Sequence, residues 1–323
     1  MRYTKSSNTC CWRRGNVMAQ PTVDFIWKNG KLEKWDDARV HVLTHTLHYG
    51  SGVFEGIRCY ETADGPAVFR LPEHMQRLKE SAKMLYMDLD YSVDELCEIV
   101  KDTIKANKIN ECYIRPLVFR GYGSMGVDPL PAPVEFVVAV WPWGSYLGED
   151  ALTNGVEVGV SSWRQRSYNA SPPAIKAVGN YLNSSFARME ANRHGYNEAV
   201  LLNEVGQVAE GTGENLFVIK GDTIMTPCIS DGVLAGITRE SVMDIARDFG
   251  YEAIECSLVR TDIYTADEFF MTGTAAELVP VRACDGITIG EGVAGPITLK
   301  LQKAFFDAVR GKDEAYKHWL TYV

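Results

Sequence analysis

The sequence lacks the long apolar runs, the excess of basic residues and the paired cysteines that would each indicate a particular class of protein. No apolar run approaches the roughly 18 residues that a membrane-spanning helix needs, so we predict no membrane span. The 33 Lys and Arg residues are outnumbered by 42 Asp and Glu residues, and the net charge of -9 argues against a nucleic-acid surface. The eight cysteines include no CxxC pair, which favours reduced thiols in a cytoplasmic protein.

The first 17 residues hold four basic groups and no acidic group, a composition that superficially resembles a transit peptide. They lack the apolar segment of a secretion signal, and Met18 opens the better patterned part of the chain. We interpret residues 1–20 as a disordered extension or the product of an upstream start, with organellar import as the alternative.

The length of 323 residues is large for one hydrophobic core, so we predict two domains. The string WPWGSYLGED interrupts the strand pattern with Pro, Gly and acidic residues, which is typical of a linker. We therefore expect a smaller domain over residues 21–146 and a larger one over residues 147–323.

Local patterns predict a mixture of helices and strands. Asn29-Gly30 between alternating segments predicts a hairpin over residues 25–35, and residues 53–61 are typical of one continuous strand. Pro72 predicts the start of a helix, and Ser92 with Glu95 predicts a capping box at the next one.

Two further patterns could be mistaken for binding sites. His41, His45 and His48 recur at helical spacing, but no acidic partner accompanies them, so we predict structural roles and no metal site. The string GTGEN (211–215) lacks both the GxGxxG spacing and the lysine of a Walker motif, which disfavours nucleotide binding. Glu214 within it is interpreted as a structural salt-bridge residue.

The stretch PPAIKAVGNYLNSSF (172–186) places Lys176 between small apolar pairs. A lysine withdrawn from water has a lowered pKa, and its free amine forms Schiff bases. Gly179 would let backbone approach a flat ligand, and Tyr181 could set a phenol beside it. The pattern predicts a site for pyridoxal phosphate.

Four other stretches accompany the Lys176 segment in order: HTLHYGSGVFEGIRCY (45–60), CYIRPLVFRGYGSMGV (112–127), VAEGTGENLF (208–217) and FMTGTAAELVPV (270–281). Together the five resemble the branched-chain amino acid aminotransferases, which are class IV aminotransferases of pyridoxal phosphate fold type IV. The resemblance runs from about Asp24 to near the end of the chain. It implies an α+β, D-amino acid aminotransferase-like fold of two domains, with the cofactor at their interface and the larger domain a pseudo-barrel.

The resemblance also implies roles for cofactor-binding residues. Lys176 would hold pyridoxal phosphate and, once freed, move the proton of the substrate Cα. Glu210 would pair with the pyridine nitrogen and Tyr181 with the phenolic oxygen. The residues that bind the phosphate would be Arg77, Ile237, Thr238 and Thr274.

For the substrate, the resemblance implies that Tyr113 and Arg115 bind the carboxylate, with Arg115 also serving the side-chain carboxylate of glutamate. Arg58 is expected near the pocket. Met125 and Val127 would reach the site of a neighbouring subunit in a homodimer or larger homo-oligomer. The remaining substrate-binding residues would be Tyr49, Phe54, Gly56, Trp143, Tyr146, Thr274 and Ala275.

The function implied is reversible ping-pong transfer of the amino group of L-leucine, L-isoleucine or L-valine to 2-oxoglutarate. A D-amino acid aminotransferase or an aminodeoxychorismate lyase on the same fold is the closest alternative. A non-catalytic cofactor-binding protein would need neither Tyr113 nor Arg115, so their presence disfavours it.

Overall fold

The computed structural model describes residues 23–144 and 148–323. The proposed extension over residues 1–20, the boundary at residue 147 and Tyr146 lie outside the described residues. No helix in the described ranges is long and apolar enough to cross a membrane.

Two β-sheets organise the chain. The first seven strands lie in one sheet: β1 (Phe25–Lys28), β2 (Lys31–Lys34), β3 (Gly52–Phe54), β4 (Ile57–Thr62), β5 (Gly65–Phe69), β6 (Cys112–Arg120) and β7 (Val134–Trp141). The next nine form the second sheet: β8 (Val156–Arg164), β9 (Glu198–Leu202), β10 (Val208–Gly211), β11 (Asn215–Lys220), β12 (Thr223–Thr226), β13 (Glu252–Glu255), β14 (Glu268–Gly273), β15 (Glu277–Cys284) and β16 (Ile287–Thr288). The last strand, β17 (Leu320–Tyr322), returns to the first sheet beside β5.

The first sheet has the order β17-β5-β4-β6-β7-β1-β2, with β3 also pairing with β6, and its described pairs are all antiparallel. The second has the order β10-β9-β8-β15-β14-β11-β12-β13, with β16 on β15. It is mixed, because β8 runs parallel to both β9 and β15. The return of β17 ties the end of the chain to the first sheet, and the division into domains at residue 147 stays a prediction.

Helices cover both sheets. Their bounds are α1 (His45–Tyr49), α2 (Leu71–Met84), α3 (Val93–Asn107), α4 (Glu149–Asn154), α5 (Tyr181–His194), α6 (Ile237–Asp248), α7 (Arg260–Tyr264) and α8 (Pro296–Val309), with 3-10 turns at Trp35–Asp37, Val178–Asn180, Ile229–Asp231 and Glu314–Trp319. One core packs the apolar faces of α2 and α3 on the first sheet. A second core packs α6 and α8 on the second sheet and includes Tyr60 and Phe69 of the first, so the two halves share apolar contacts.

Several local predictions are confirmed. Asn29 and Gly30 have φ angles of 46° and 93°, as a type I′ turn requires, and β1 pairs with β2 across them. The helix after Pro72 forms as α2, and the Ser92–Glu95 capping box is present at the start of α3.

The expectation of one strand over residues 53–61 is wrong, because β3 ends at Phe54 and β4 begins at Ile57. At the break, the Glu55 carboxylate hydrogen-bonds to α2. Gly56 lies so close to Tyr113 that a Cβ there would stand 2.1 Å from the phenolic oxygen. The interruption thus lets Glu55 contact α2 while Gly56 packs against Tyr113 of β6.

Candidate active site

The Lys176 segment is held between the two sheets by its backbone. The Phe54 amide donates to the Lys176 carbonyl at 3.0 Å, and the Lys176 amide donates to Ser81 Oγ at 3.3 Å. On the other side, the Asn180 side chain donates to the Ile175 carbonyl at 3.2 Å. These contacts fix the backbone from which the lysine side chain projects.

The Lys176 amine lies 5.5 Å from the centroid of the Phe54 ring and 5.6 Å from that of the Tyr181 ring. Burial lowers the pKa of Lys176, but the Tyr181 hydroxyl and the Glu55 carboxylate favour the ammonium and raise the pKa above its ordinary value. The expected lowered pKa is therefore wrong, because apolar sequence neighbours do not reveal polar groups that the fold brings in. The Gly179 amide donates to the Gly50 carbonyl at 3.2 Å, and its expected approach to a ligand stays a prediction.

A narrow cavity runs from Lys176 toward β10. Lys176, Tyr181 and Glu210 all line it, so the structure brings these three predicted residues together. Glu210 Oε1 accepts from Gln165 Nε2 at 2.6 Å, and Oε2 accepts from the Leu234 amide at 2.9 Å. Burial raises the pKa of Glu210, an effect that these donors reduce without cancelling.

Glu214 is a functional candidate that the sequence interpretation missed. Its carboxyl is buried, accepts from the Gly213 amide at 3.0 Å and lines both the narrow cavity and its larger neighbour. Burial and the nearby Glu198 raise the pKa of Glu214 to about 8. The structural role that the sequence interpretation gave to Glu214 stays a prediction.

A larger cavity of about 490 Å³ opens on the other side of Lys176. Arg115 Nη2 donates to the Tyr113 hydroxyl at 3.2 Å, and its guanidinium carbon lies 4.6 Å from the centroid of the Phe54 ring. Arg115 Nε is buried without a hydrogen-bond partner. The predicted substrate residues that line this cavity are Phe54, Gly56, Tyr113, Arg115, Trp143, Thr274 and Ala275.

Arg77 reaches the start of α6, the helix whose first turn carries the predicted phosphate-binding residues Ile237 and Thr238. Arg77 Nη1 donates to the Ala235 carbonyl at 2.6 Å, two residues before α6 begins at Ile237. Thr238, in the first turn of that helix, is buried. The structure thus brings a guanidinium to a helix N-terminus, a combination that suits an anion.

Three predicted residues lie elsewhere on the single chain. The Tyr49 hydroxyl donates to the Met125 carbonyl at 3.0 Å, and Val127 is 81% exposed, so none of the three lines either cavity. Arg58 also points away, because it forms a buried ion pair with Glu277 at 2.7 Å.

Four residues of the site escaped the sequence interpretation: Glu55, Gln165, Arg166 and Glu214. Of these four, Glu55 is the one that the sequence could have indicated. It is an acidic residue within an apolar strand pattern, and an acidic side chain is rarely buried without a partner. Gln165 and Arg166 lie in a polar loop with no periodic pattern.

The residues present fit a flat, anionic, aldehyde-bearing cofactor. A lysine amine and a buried carboxylate face one cavity, which also contains the unpaired, buried Nε of Arg166. The arginine and helix N-terminus beside it supply an anion site. Among the described residues no group of three or more His, Cys, Asp or Glu side chains could hold a metal ion. His45 instead hydrogen-bonds to Ser51 Oγ at 2.7 Å.

Comparisons with known proteins agree with this geometry. Residues 52–284 match the sequence model of the amino-transferase class IV family. The branched-chain-amino-acid aminotransferase of Salmonella typhimurium is 48% identical over 304 residues, which are 94% of this chain and 98% of that one.

Solved structures give the same result. The crystal structure of the Escherichia coli branched-chain amino acid aminotransferase has a TM-score of 0.90 at 47% identity, covering 93% of this chain and 99% of that one. The Thermobaculum terrenum enzyme of the same name, solved in its PLP-bound holo-form, has a TM-score of 0.88 at 35% identity, covering 94% and 99%. The chain therefore belongs to the class IV aminotransferases, within the branched-chain-amino-acid aminotransferase family of fold type IV, and its cofactor is pyridoxal phosphate.

Proposed function

We propose that this enzyme transfers the amino group of L-leucine, L-isoleucine or L-valine to 2-oxoglutarate in a reversible ping-pong reaction. The products are the branched 2-oxo acids and L-glutamate. The observation that carries the proposal is the position of the Lys176 amine, at the junction of a cavity containing Glu210 and a cavity containing Arg115.

The larger cavity supports a substrate that is apolar at one end and anionic at the other. Phe54, Leu117, Trp143 and Val178 present apolar surface, whereas Arg115 presents a guanidinium whose Nε has no partner. An aliphatic side chain would pack on the apolar wall. The same guanidinium would bind the distal carboxylate of glutamate, so one cavity accepts both substrates.

The chain's own residues would divide the chemistry as follows. Lys176 Nζ would accept the proton of the substrate Cα and move it to the carbon of the cofactor that takes up the amino group. Glu210, oriented by Gln165 and Leu234, would hold the proton on the pyridine nitrogen, and Tyr181 would hydrogen-bond the phenolic oxygen. Bound pyridoxal phosphate supplies the electron sink and carries the amino group between substrates.

The phosphate group of the cofactor would be bound at the corner where Arg77 meets α6. Helix amides carry partial positive charge, so this corner favours an anion. The residues that would contribute are Arg77, Ile237, Thr238 and Thr274.

We also propose that a second copy of the chain completes the larger cavity. Tyr49, Met125 and Val127 form a group of exposed side chains at the surface, and Leu182 of α5 is also exposed. In a symmetric dimer the same surface serves both chains, and the Tyr49 group of one would line the site of the other.

The first test is the visible absorption spectrum of the purified protein beside a Lys176→Ala variant. The cofactor band of the wild type should be bleached by L-leucine and restored by 2-oxoglutarate, whereas the variant should show neither change. Bleaching by D-alanine alone would favour a D-amino acid aminotransferase.

The role of Arg115 is tested with an Arg115→Gln variant. Loss of a charge-assisted hydrogen bond costs about 1.5–3 kcal/mol, so kcat/KM for 2-oxoglutarate should fall roughly 10- to 150-fold. The loss for 4-methyl-2-oxopentanoate, which has no distal carboxylate, should be clearly smaller. Equal losses would contradict a specific role for Arg115 in the distal carboxylate.

Subunit mixing tests the dimer. Lys176→Ala chains and Tyr49→Ala chains, each weakly active or inactive, should regain up to about a quarter of wild-type activity when unfolded and refolded together, because half of the dimers then contain one intact site. No recovery would place Tyr49 in the site of its own chain.

A further inference from the structure

Arg77 is held by a buried carboxylate. Arg77 Nε donates to Glu55 Oε1 at 2.7 Å and Nη2 donates to Glu55 Oε2 at 2.8 Å, so the two side chains form a two-pronged ion pair. The Glu55 side chain is 0% exposed. Such a pair fixes both the position and the plane of the guanidinium.

His74 fixes Glu55 in turn. His74 Nδ1 lies 2.8 Å from Glu55 Oε2, and both side chains are buried. Burial lowers the pKa of His74 despite the nearby carboxylate, which leaves a neutral imidazole. Burial opposes ionisation of Glu55 as well, but Arg77 and His74 hold its pKa well below the usual range. Glu55 is therefore an anion, and Nδ1–H donates to it.

The pairing determines which Arg77 groups remain for a ligand. Nε and one N–H of Nη2 bind Glu55, while one N–H of Nη1 binds the Ala235 carbonyl before α6. The second N–H on each terminal nitrogen remains, and the Ala235 contact keeps both beside the helix N-terminus.

A contribution to the stability of the fold does not by itself explain why Glu55, Arg77 and His74 are buried together. Burying an ion pair costs desolvation energy, and an apolar set of similar volume is often at least as stable. Glu55 also lies in the break between β3 and β4, between Phe54 and Gly56, which line the larger cavity. The Glu55 carboxylate therefore lies at the edge of the site. It pairs with Arg77, and Arg77 in turn contacts Ala235 just before α6.

We propose that Glu55 is a positioning residue for phosphate binding: held by His74, its carboxylate fixes the Arg77 guanidinium beside the N-terminus of α6 so that the free N–H groups face the cofactor's phosphate. This inference rests on the proposed role of Arg77 in binding that phosphate. His74 acts one step further away, through Glu55.

The test compares two ligands on the cofactor-free protein. Pyridoxal 5'-phosphate and pyridoxal differ only in the phosphate group, and the dissociation constant of each is measured by equilibrium dialysis for wild type, Glu55→Gln and Arg77→Gln. Glu55→Gln should weaken binding of pyridoxal 5'-phosphate by about 10- to 100-fold, the range of one charge-assisted hydrogen bond, and pyridoxal binding by less than about twofold. The double variant should bind no more weakly than Arg77→Gln, because both substitutions remove the same interaction.

A matched control is Glu73→Gln. Glu73 pairs with Arg70 at 2.6 Å, and Arg70, the residue before α2, also contacts α6, but through the side chains of Glu240 and Ser241 and not at Ala235. The control should leave both dissociation constants unchanged. If Glu55→Gln does not fold, His74→Leu provides the test, since it removes the donor to Glu55 and should weaken phosphate-ligand binding alone.

Three results would overturn the inference. Equal weakening for both ligands would make Glu55 a general structural residue, and additive effects of the two substitutions would separate it from Arg77. If Arg77→Gln left the ratio of the two dissociation constants unchanged, both the proposed phosphate site and the inference would be wrong. If Arg77→Gln weakened binding of pyridoxal 5'-phosphate alone but Glu55→Gln weakened binding of both ligands equally, the phosphate site would stand and only the inference about Glu55 would be overturned.

Discussion

Glu55 and Glu214 are both buried carboxyl groups at the edge of the same site, but their surroundings favour opposite charge states. Glu55 faces Arg77 and His74, and its pKa is held well below the usual range. Burial and the nearby acid Glu198 raise the pKa of Glu214 to about 8, although the Gly213 amide and Arg188 oppose the rise. The comparison teaches that partners, and not depth of burial, decide whether a buried acid carries charge.

The two charge states suit different tasks on the two sides of the site. On the Arg77 side, the anion is part of an ion pair that orients a guanidinium. On the Glu214 side, an acid that is protonated at neutral pH can border the cavities without repelling an anionic cofactor or substrate. Glu210 lies between these extremes, since burial raises its pKa and two N–H donors oppose the rise.

The largest expected effect is on the free energy of unfolding when each of the two carboxyl groups is removed by substitution. Glu55→Leu leaves Arg77 and His74 without their counter-charge and should lower the free energy of unfolding by about 3–5 kcal/mol. Glu214→Leu removes an acid that is protonated at pH 7, so no buried charge loses its partner, and the substitution should cost less than about 1 kcal/mol. Urea unfolding of both variants at pH 7 measures the difference, and equal costs would contradict the contrast.

The second effect is the pH dependence of stability. Because the pKa of Glu214 rises from 4.5 to about 8 on folding, the folded state holds a proton that the unfolded state releases between these values. Its contribution is full below the unfolded pKa and is lost as pH rises toward 8, by up to about 1.4 kcal/mol per pH unit. Glu214→Gln should flatten this fall.

Urea midpoints at pH 5, 6.5 and 8 provide the measurement. The stability of Glu214→Gln relative to wild type should increase across this series. Glu55 gives the opposite sign, since its lowered pKa contributes stability that is present above the unfolded pKa and lost only as the solution becomes strongly acidic. A variant that tracks wild type at all three values would show that Glu214 is ionised in the folded protein.

The smallest effect concerns Glu210, the intermediate case. Gln165→Leu removes the donor to Oε1, which should raise the pKa of Glu210 further. The loss of one neutral donor to a charged group costs about 1.5 kcal/mol, so kcat should fall roughly 10-fold. The matched control is Gln207→Leu, which removes a bond to Asn203 near β10, and an equal fall there would contradict a specific role.

Much of the local structure follows from the sequence. The Asn29-Gly30 turn, the Pro72 residue in the first turn of α2 and the Ser92 capping box depend on residues that are neighbours along the chain. The grouping of Lys176, Tyr181 and Glu210 around one cavity was predicted only through the resemblance of several motifs to a family. The roles of these residues remain predictions that the experiments above address.

The tertiary structure decided the electrostatics. Sequence neighbours predicted a lowered pKa for Lys176, and this expectation is wrong. Tyr181 lies in the same stretch as Lys176, but Glu55 acts on that lysine from a strand break, and Glu198 acts on Glu214 from another strand. Charge interactions act through space over several ångströms, so they depend on contacts between segments that lie far apart in the chain.

The sequence by itself determined the family, the turn and cap positions and the alternation that builds the two sheets, because these depend on residue types at short spacing. Only the tertiary structure decided that residues 53–61 break into two strands and that Glu55 turns to Arg77 and His74. The physical reason is that a buried charge needs partners, and the partners of Glu55 lie on the next helix.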